Sequence, residues 1–311
     1  MSTLSQFIAS GKVLLLDGAT GSRLIAAGLQ PGYCPELWNI EQPDKVKNVA
    51  RSYFESGSDA VLTNTFGSSL LKLRDYGLED RVNELNEAAA ELALSVKPSG
   101  RFVLASIGPC GKFMEPFGEV TRDQMTRSFA AQVKSLAGSG IDGFMLETFI
   151  ALDELLCAVQ AIRENSSLPF FASMTFEYSS MGFNTIMGTS LAEAAEVLSR
   201  AGALAVGSNC GNGLEKMINV GKEFRSLSKD LHILIKSNAG EPAYTGGCTI
   251  YPEDSGFLEA RADELFSFRP SVLGGCCGTD PEYISCLRRL IDLKNPHFEQ
   301  PSPEKYDHLS L

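Results

Sequence analysis

Basic charge is in short supply in this chain: 27 Lys and Arg face 38 Asp and Glu, leaving a formal charge of −11 over 311 residues. Nucleic acid and anionic membrane surfaces repel such a protein, so neither is expected as a partner. Long apolar runs are missing too. None approaches the roughly 18 residues needed to span a bilayer, and no membrane segment is predicted. Met1 to Gly11 lacks the basic region and apolar core of a secretory signal and reads as a short amphipathic helix around Leu4, Phe7 and Ile8. The 8 cysteines have no small-scaffold spacing, so a reducing cytoplasm is expected rather than a disulfide framework. No low-complexity linker or second domain is visible. Gly18-Ala-Thr-Gly21 and Gly211-Asn-Gly213 lack the spacing of phosphate loops.

What the sequence does contain is a repeated unit: a short apolar run ending in polar or glycine residues, then a helical segment. The runs are Val13–Leu16, Ala60–Leu62, Phe102–Ala105, Gly143–Leu146, Pro169–Ala172, Ala205–Val206, His232–Ile235 and Ser271–Leu273. Helical periodicity marks Arg81–Ser95, Arg122–Ala137, Leu152–Arg163, Leu191–Ala201 and Pro281–Leu293. Thr121 and Asp280 are placed as N-caps, the latter followed by Pro281 at the first helical position. Strands alternating with helices imply parallel pairing, and eight such units imply an α/β chain folded as a single (β/α)8 TIM barrel. The alternative is a doubly wound open sheet. Polarity favours the barrel, because Asp17, Asn64, Glu147, Asn209, Cys210, Asn238, Cys276 and Cys277 follow their runs and would share the carboxyl-end mouth. The barrel is assigned to residues 1–294, and 295–311, with Pro301 and Pro303, to a C-terminal tail.

Two run ends carry cysteine wrapped in glycine: Ser208-Asn-Cys-Gly211 after the sixth and Gly274-Gly-Cys-Cys-Gly278 after the eighth. Adjacent strand residues point to opposite faces, so Cys276 and Cys277 reach one metal only where their strand has ended. The sixth and eighth strands are two apart around a barrel, which lets Cys210 reach the same point. Thiolates at about 2.3 Å in a tetrahedron suit zinc, and three of them leave one position open for a substrate atom. A three-thiolate zinc is electron-rich and a poor activator of water, so a soft thiol is the matching substrate. A free alkyl thiol is mostly protonated at neutral pH, and zinc binding removes the proton. The result is a fixed nucleophile suited to in-line attack on a methyl group. Cys34, Cys157 and Cys286 read as small buried hydrophobes, while Cys110 and Cys248 are left open between loop filler and site lining.

At these residues the sequence resembles the homocysteine S-methyltransferase family, most closely the homocysteine-binding module of cobalamin-dependent methionine synthase as a stand-alone chain. The resemblance runs nearly end to end, through Leu14-Leu-Leu-Asp-Gly-Ala-Thr-Gly21, Thr63-Asn-Thr-Phe66, Tyr76-Gly-Leu-Glu-Asp80, Ser106-Ile-Gly-Pro109, Leu146-Glu-Thr148, Gly207-Ser-Asn-Cys-Gly211, Ser237-Asn-Ala-Gly240 and Gly274-Gly-Cys-Cys-Gly-Thr279. It implies a zinc-dependent barrel, with the zinc site at the carboxyl-end mouth, that methylates the sulfur of L-homocysteine to give methionine. Cys210, Cys276 and Cys277 then stand as zinc ligands. Asp17 and Glu147 stand as the carboxylates that hold the substrate ammonium. Gly18, Ala19 and Thr20 offer backbone N–H groups to its carboxylate, and Asn238 fills the fourth zinc position when substrate is absent. Asn64 and Thr65 either bond the substrate or knit the rim.

The methyl donor is less defined. Tyr76–Asp80 and Asn238-Ala-Gly240 resemble the methionine synthase module, yet no Asp-x-His-x-x-Gly motif for cobalamin surrounds His232, His297 or His308. A methyl-corrinoid donor is therefore expected on a separate protein. S-methylmethionine or another small sulfonium or betaine donor is the alternative. Two readings of other classes compete: a Schiff-base lyase using Lys236, otherwise a rim charge paired with a carboxylate, and a non-catalytic thiol-activating subunit.

Overall fold

Inward and outward residues alternate along the barrel strands, and this alternation builds both core and mouth. In β3 (Phe102–Ile107) Phe102 and Leu104 join the inner core, while Val103, Ala105 and Ile107 pack outward against helices. The same inner core takes Leu14 and Leu16 at β1 (Leu14–Leu15), Ala60 and Leu62 from β2 (Ala60–Leu62), and Met145 from β4 (Gly143–Phe149). It also takes Phe171 from β5 (Phe170–Met174). Complete burial of each such leucine or phenylalanine contributes about 1.5–3 kcal/mol relative to exposure. The structure is a computed structural model and describes residues 3–294 except 181, 212, 246 and 247; the tail assigned to 295–311 and the Cys248 side chain lie outside the described residues.

The other elements complete the ring. β8 (Val206–Cys210), β9 (Ile233–Ser237) and β12 (Val272–Gly275) join the five above in an eight-stranded sheet of order β1-β12-β9-β8-β5-β4-β3-β2. Every ladder in it is parallel. The first strand pairs with the last, which a doubly wound sheet does not do, so the architecture is the expected (β/α)8 barrel. Between β1 and β2 carboxylates help to seal the ring, beside the Asp59 N–H bond to Leu15 O. Asp59 Oδ2 accepts the Leu15 N–H at 3.0 Å, and Asp17 Oδ2 accepts the Leu62 N–H at 2.7 Å. The helix Leu4–Ala9, started by a Thr3–Gln6 capping box, places Leu4 and Ile8 in the inner core and Phe7 edge-on to Phe102.

The five expected helices are present with ends shifted by at most two residues. Thr121 and Asp280 cap their helices as placed. Two features depart from the sequence reading. β8 runs on through Cys210, because Asn209 and Cys210 continue the ladder to Lys236 and Ser237 of β9. Two antiparallel hairpins also interrupt the strand-to-helix loops: β6 (Glu177–Ser179) with β7 (Gly182–Asn184), and β10 (Ala243–Thr245) with β11 (Cys248–Ile250). Strands of three residues are too short to carry a periodic apolar signal, which is why the sequence reading passes over them.

Candidate active site

Cys210, Cys276 and Cys277 converge at the mouth with all three Sγ atoms within 4.8 Å of one another. Cys210 ends β8 in the left-handed region (φ 66°), and Gly211 follows at φ 69°. A non-glycine residue held there is strained, and such strain gathers at functional sites. β12 stops at Gly275, so Cys276 and Cys277 lie beyond the strand, where its alternation no longer separates them. Their turn is tied to neighbouring strands: Cys276 N–H donates to Ser237 O at 2.7 Å and Gly275 N–H to Asp17 O at 2.9 Å. Gly278 (φ 81°) completes the bend, and the Tyr251 ring lies where a Cβ would sit.

The electrostatics of the three thiols ask for a cation. Hydrogen bonds from Cys276 and Cys277, with a further one from Asn238, pull the Cys210 thiol far below its ordinary value. The contact with Cys210 is in turn the largest cause that pushes Cys276 and Cys277 up. One thiolate forms readily, and two more beside it repel it unless a positive ion intervenes. Asn238 donates to Gly211 O at 2.6 Å, while its buried Oδ1 has no partner and is free to act as a further ligand atom. Three sulfur donors and a spare oxygen fit zinc.

Beneath the thiols lies a polar layer made by continuing the inward register one step further. Ser106, Glu147, Asn209 and Lys236 occupy those positions on β3, β4, β8 and β9. Lys236 Nζ sits 2.6 Å from Glu147 Oε2, and Ser106 Oγ donates to Glu147 Oε1 at 2.6 Å. Burial would drive the Lys236 pKa down, but the charges of Glu147 and Asp17 more than offset it and raise it above the ordinary value. Asp17 is 1% exposed; Oδ2 holds Leu62, and Oδ1 has no partner. Burial, partly opposed by Lys236 and by the Leu62 N–H, pushes its carboxyl up to about 7.

A family model described as homocysteine S-methyltransferase matches residues 14–291. The chain belongs to the homocysteine S-methyltransferase family. It is 30% identical to the methionine synthase of Mycobacterium tuberculosis over 93% of this chain and 25% of that protein. The Mycobacterium leprae methionine synthase is 29% identical over 91% of this chain and 24% of its own length. The chain thus spans about a quarter of these curated relatives. Among solved structures, the metallated form of the homocysteine methyltransferase MmuM from Escherichia coli aligns with TM-score 0.73 at 21% identity, covering 89% of this chain and 96% of that one. A methyltransferase from Methanosarcina mazei aligns at 0.61 with 12% identity over 94% and 99%.

For this family member the structure places the expected residues unevenly. Asp17, Glu147 and Asn238 stand at the mouth with the cysteines, while Asp17, Thr20 and Asn64 also border a small cavity that is otherwise lined by apolar side chains, among them Val46, Ala50 and Ala89, and by none of the cysteines. Asn64, however, spends both amide hydrogens on Pro35 O and Asn39 Oδ1, and Thr65 Oγ1 donates to Ser106 O, so both residues knit the rim. Ala19 N–H already donates to Thr279 O at 3.3 Å. Lys236 does pair with a carboxylate, but it is 2% exposed and not at the rim. Held protonated there, it lacks the free amine that Schiff-base chemistry needs. Cys110 is fully buried in the outer core, as are Cys157 and Cys286.

Sequence reasoning overlooked Ser106 and the coupling role of Asn209. The Asn209 amide bonds Thr148 and Ser173 and reaches Cys276, and Thr148 is itself left-handed (φ 66°) at a register shift in β4. The signal was present as period-2 spacing, in Phe102-x-Leu-x-Ser106 and in Leu234-x-Lys236.

Proposed function

We propose that this chain methylates the sulfur of L-homocysteine to give methionine, with zinc held by Cys210, Cys276 and Cys277. The convergence of those three sulfurs carries the reading. When bound, zinc supplies the positive charge that keeps the substrate thiol ionised at neutral pH. The chain's residues do the rest. In this reading Asp17 and Glu147 hold the α-ammonium, and the turn Gly18–Thr20 that leads into the helix Thr20–Ala26 offers backbone N–H groups to the α-carboxylate. The thiol proton leaves to solvent, the sulfur lone pair forms the new S–CH3 bond, and the donor departs with the electron pair of the broken bond.

The donor we favour is a methyl-corrinoid on a separate protein. Supporting it are the likeness to methionine synthases and a rim of exposed apolar side chains on the loops after β3, β5 and β9. Phe117 is 79% exposed, Tyr178 69%, Ile186 76% and Tyr244 78%. Large apolar groups around one opening are suited to being covered by a macromolecule. A small sulfonium such as S-methylmethionine is the second reading, supported by the match to nearly the full length of the E. coli homocysteine methyltransferase. The test is methionine formation by the zinc-loaded protein with homocysteine and either methylcobalamin or S-methylmethionine. Turnover with the cobalamin alone supports the corrinoid relay, and turnover with the sulfonium alone replaces it. No turnover with either, while zinc and homocysteine both bind, points to the thiol-activating subunit.

A further inference from the structure

Lys236 is an ammonium built into the polar layer beneath the thiols. It continues the inward register of Leu234 on β9 and is 2% exposed, with Nζ 2.6 Å from Glu147 Oε2 and within reach of the Asp17 charge. Ser106 Oγ donates to the other Glu147 oxygen at 2.6 Å, so both oxygens are occupied. The fold makes room for the lysine. Its register partner on β12 is Gly274, where a Cβ would come within 3.2 Å of Lys236 Cγ and 2.9 Å of Leu16 Cβ. Methyl transfer as proposed above gives this side chain no task.

Its charge is what matters. A buried carboxylate left without a cation is costly. In a layer holding only Asp17 and Glu147, the substrate would have to bring that cation, and a thiol without an ammonium would be refused. Lys236 supplies it from within the chain. Glu147 is neutralised before any substrate arrives, and Asp17, whose carboxyl burial raises to about 7, can keep its proton where no ammonium comes near. A second ammonium entering this layer gains Asp17, but it loses its hydration and meets the like charge of Lys236. Its net contribution is therefore small.

Resting on the proposed methyl transfer to homocysteine, we infer that the site also takes mercaptoalkanoates, thiol acids without an α-ammonium, as methyl acceptors, with Lys236 standing in for the missing ammonium beside Glu147. The step is the same for both classes. The thiol gives its proton to solvent, its sulfur forms the S–CH3 bond, and the donor departs with the electron pair of the bond that breaks.

Isothermal titration calorimetry on the zinc-loaded protein tests this by comparing L-homocysteine with 4-mercaptobutyrate, the same molecule without the ammonium. Wild type should bind the two within about tenfold of each other. Lys236→Met should cost 4-mercaptobutyrate about 10- to 100-fold more affinity than homocysteine, because only homocysteine then brings an ammonium to Glu147. Lys236→Gln, which still donates to Glu147, replaces it if the methionine variant does not fold. A merely structural role for Lys236 would weaken both thiols alike. The double variant Lys236→Met/Glu147→Gln, with neither charge, should recover 4-mercaptobutyrate affinity. With the donor that serves homocysteine, wild type should form 4-(methylthio)butyrate. Three results overturn the inference and leave the homocysteine reading standing: refusal of 4-mercaptobutyrate by wild type that binds homocysteine, equal losses for both thiols in the folded single variant, or no methylated product. Binding of neither thiol by protein that retains zinc overturns the homocysteine reading, and the inference with it.

Discussion

Asn209 ties the strained backbone of β4 to the cysteine cluster: its Oδ1 accepts the Thr148 N–H at 2.7 Å, and its Nδ2 lies 3.7 Å from Cys276 Sγ. The same Oδ1 accepts from Ser173 Oγ at 2.6 Å, and Nδ2 also donates to Thr148 Oγ1 at 2.7 Å. One amide therefore fixes three strands and orients a thiolate.

Outer hydrogen bonds of this kind are worth about 10- to 100-fold in metal affinity. Asn209→Ala is expected to weaken zinc binding by that order while the three cysteines remain. Competition with a chromogenic chelator measures it, and affinity equal to wild type would show that the contact to Cys276 carries no weight.

Cys276→Ala and Cys277→Ala should each lose stoichiometric zinc and activity together. Both residues lie past the end of β12 and are only partly buried, so little core packing is lost. The thermal midpoint of each metal-free variant should stay close to that of metal-free wild type. Full zinc retention in either variant contradicts the ligand set.

Glu147→Gln strands the Lys236 ammonium in a buried site. Removing one partner of such a pair costs about 3–5 kcal/mol, whereas replacing both with neutral groups of similar volume costs far less. Urea unfolding should show Glu147→Gln much less stable than Lys236→Met/Glu147→Gln. Additive losses would mean the two side chains act independently.

Asp17 should imprint a pH dependence on stability. Its carboxyl is raised to about 7 in the folded chain, chiefly by burial, from an ordinary value of 3.8. Below the ordinary value both states are protonated and the full contribution is present. As pH rises toward 7, the unfolded chain releases the proton that the folded chain retains, so stability falls across that interval and levels off above it. Asp17→Asn removes this component. Urea midpoints of the metal-free proteins at pH 5, 6, 7 and 8 should show the variant gaining on wild type up to about 7. A constant difference would mean Asp17 is ionised throughout.

Much of the fold was legible because its signals are local. Eight apolar runs alternating with amphipathic helices already demand parallel strands, and the polar residues after each run mark the mouth. Cys210, Cys276 and Cys277 were legible for the same reason, since nearby glycine and the end of an apolar run are properties of a few consecutive residues. The hairpins after β5 and β9 were not, because three-residue strands bury too little to leave a pattern.

The chain alone thus determined the barrel, the end of it that carries chemistry and the three thiols, through spacings between near neighbours. Only the tertiary structure decided how the charges are shared. Lys236 and Glu147 stand 89 positions apart in sequence, and nothing local tells a buried pair from two rim charges. Which of Asp17 and Glu147 keeps a free oxygen depends on closure of the barrel. Closure brings the β2 backbone against one carboxylate and the Lys236 ammonium against the other.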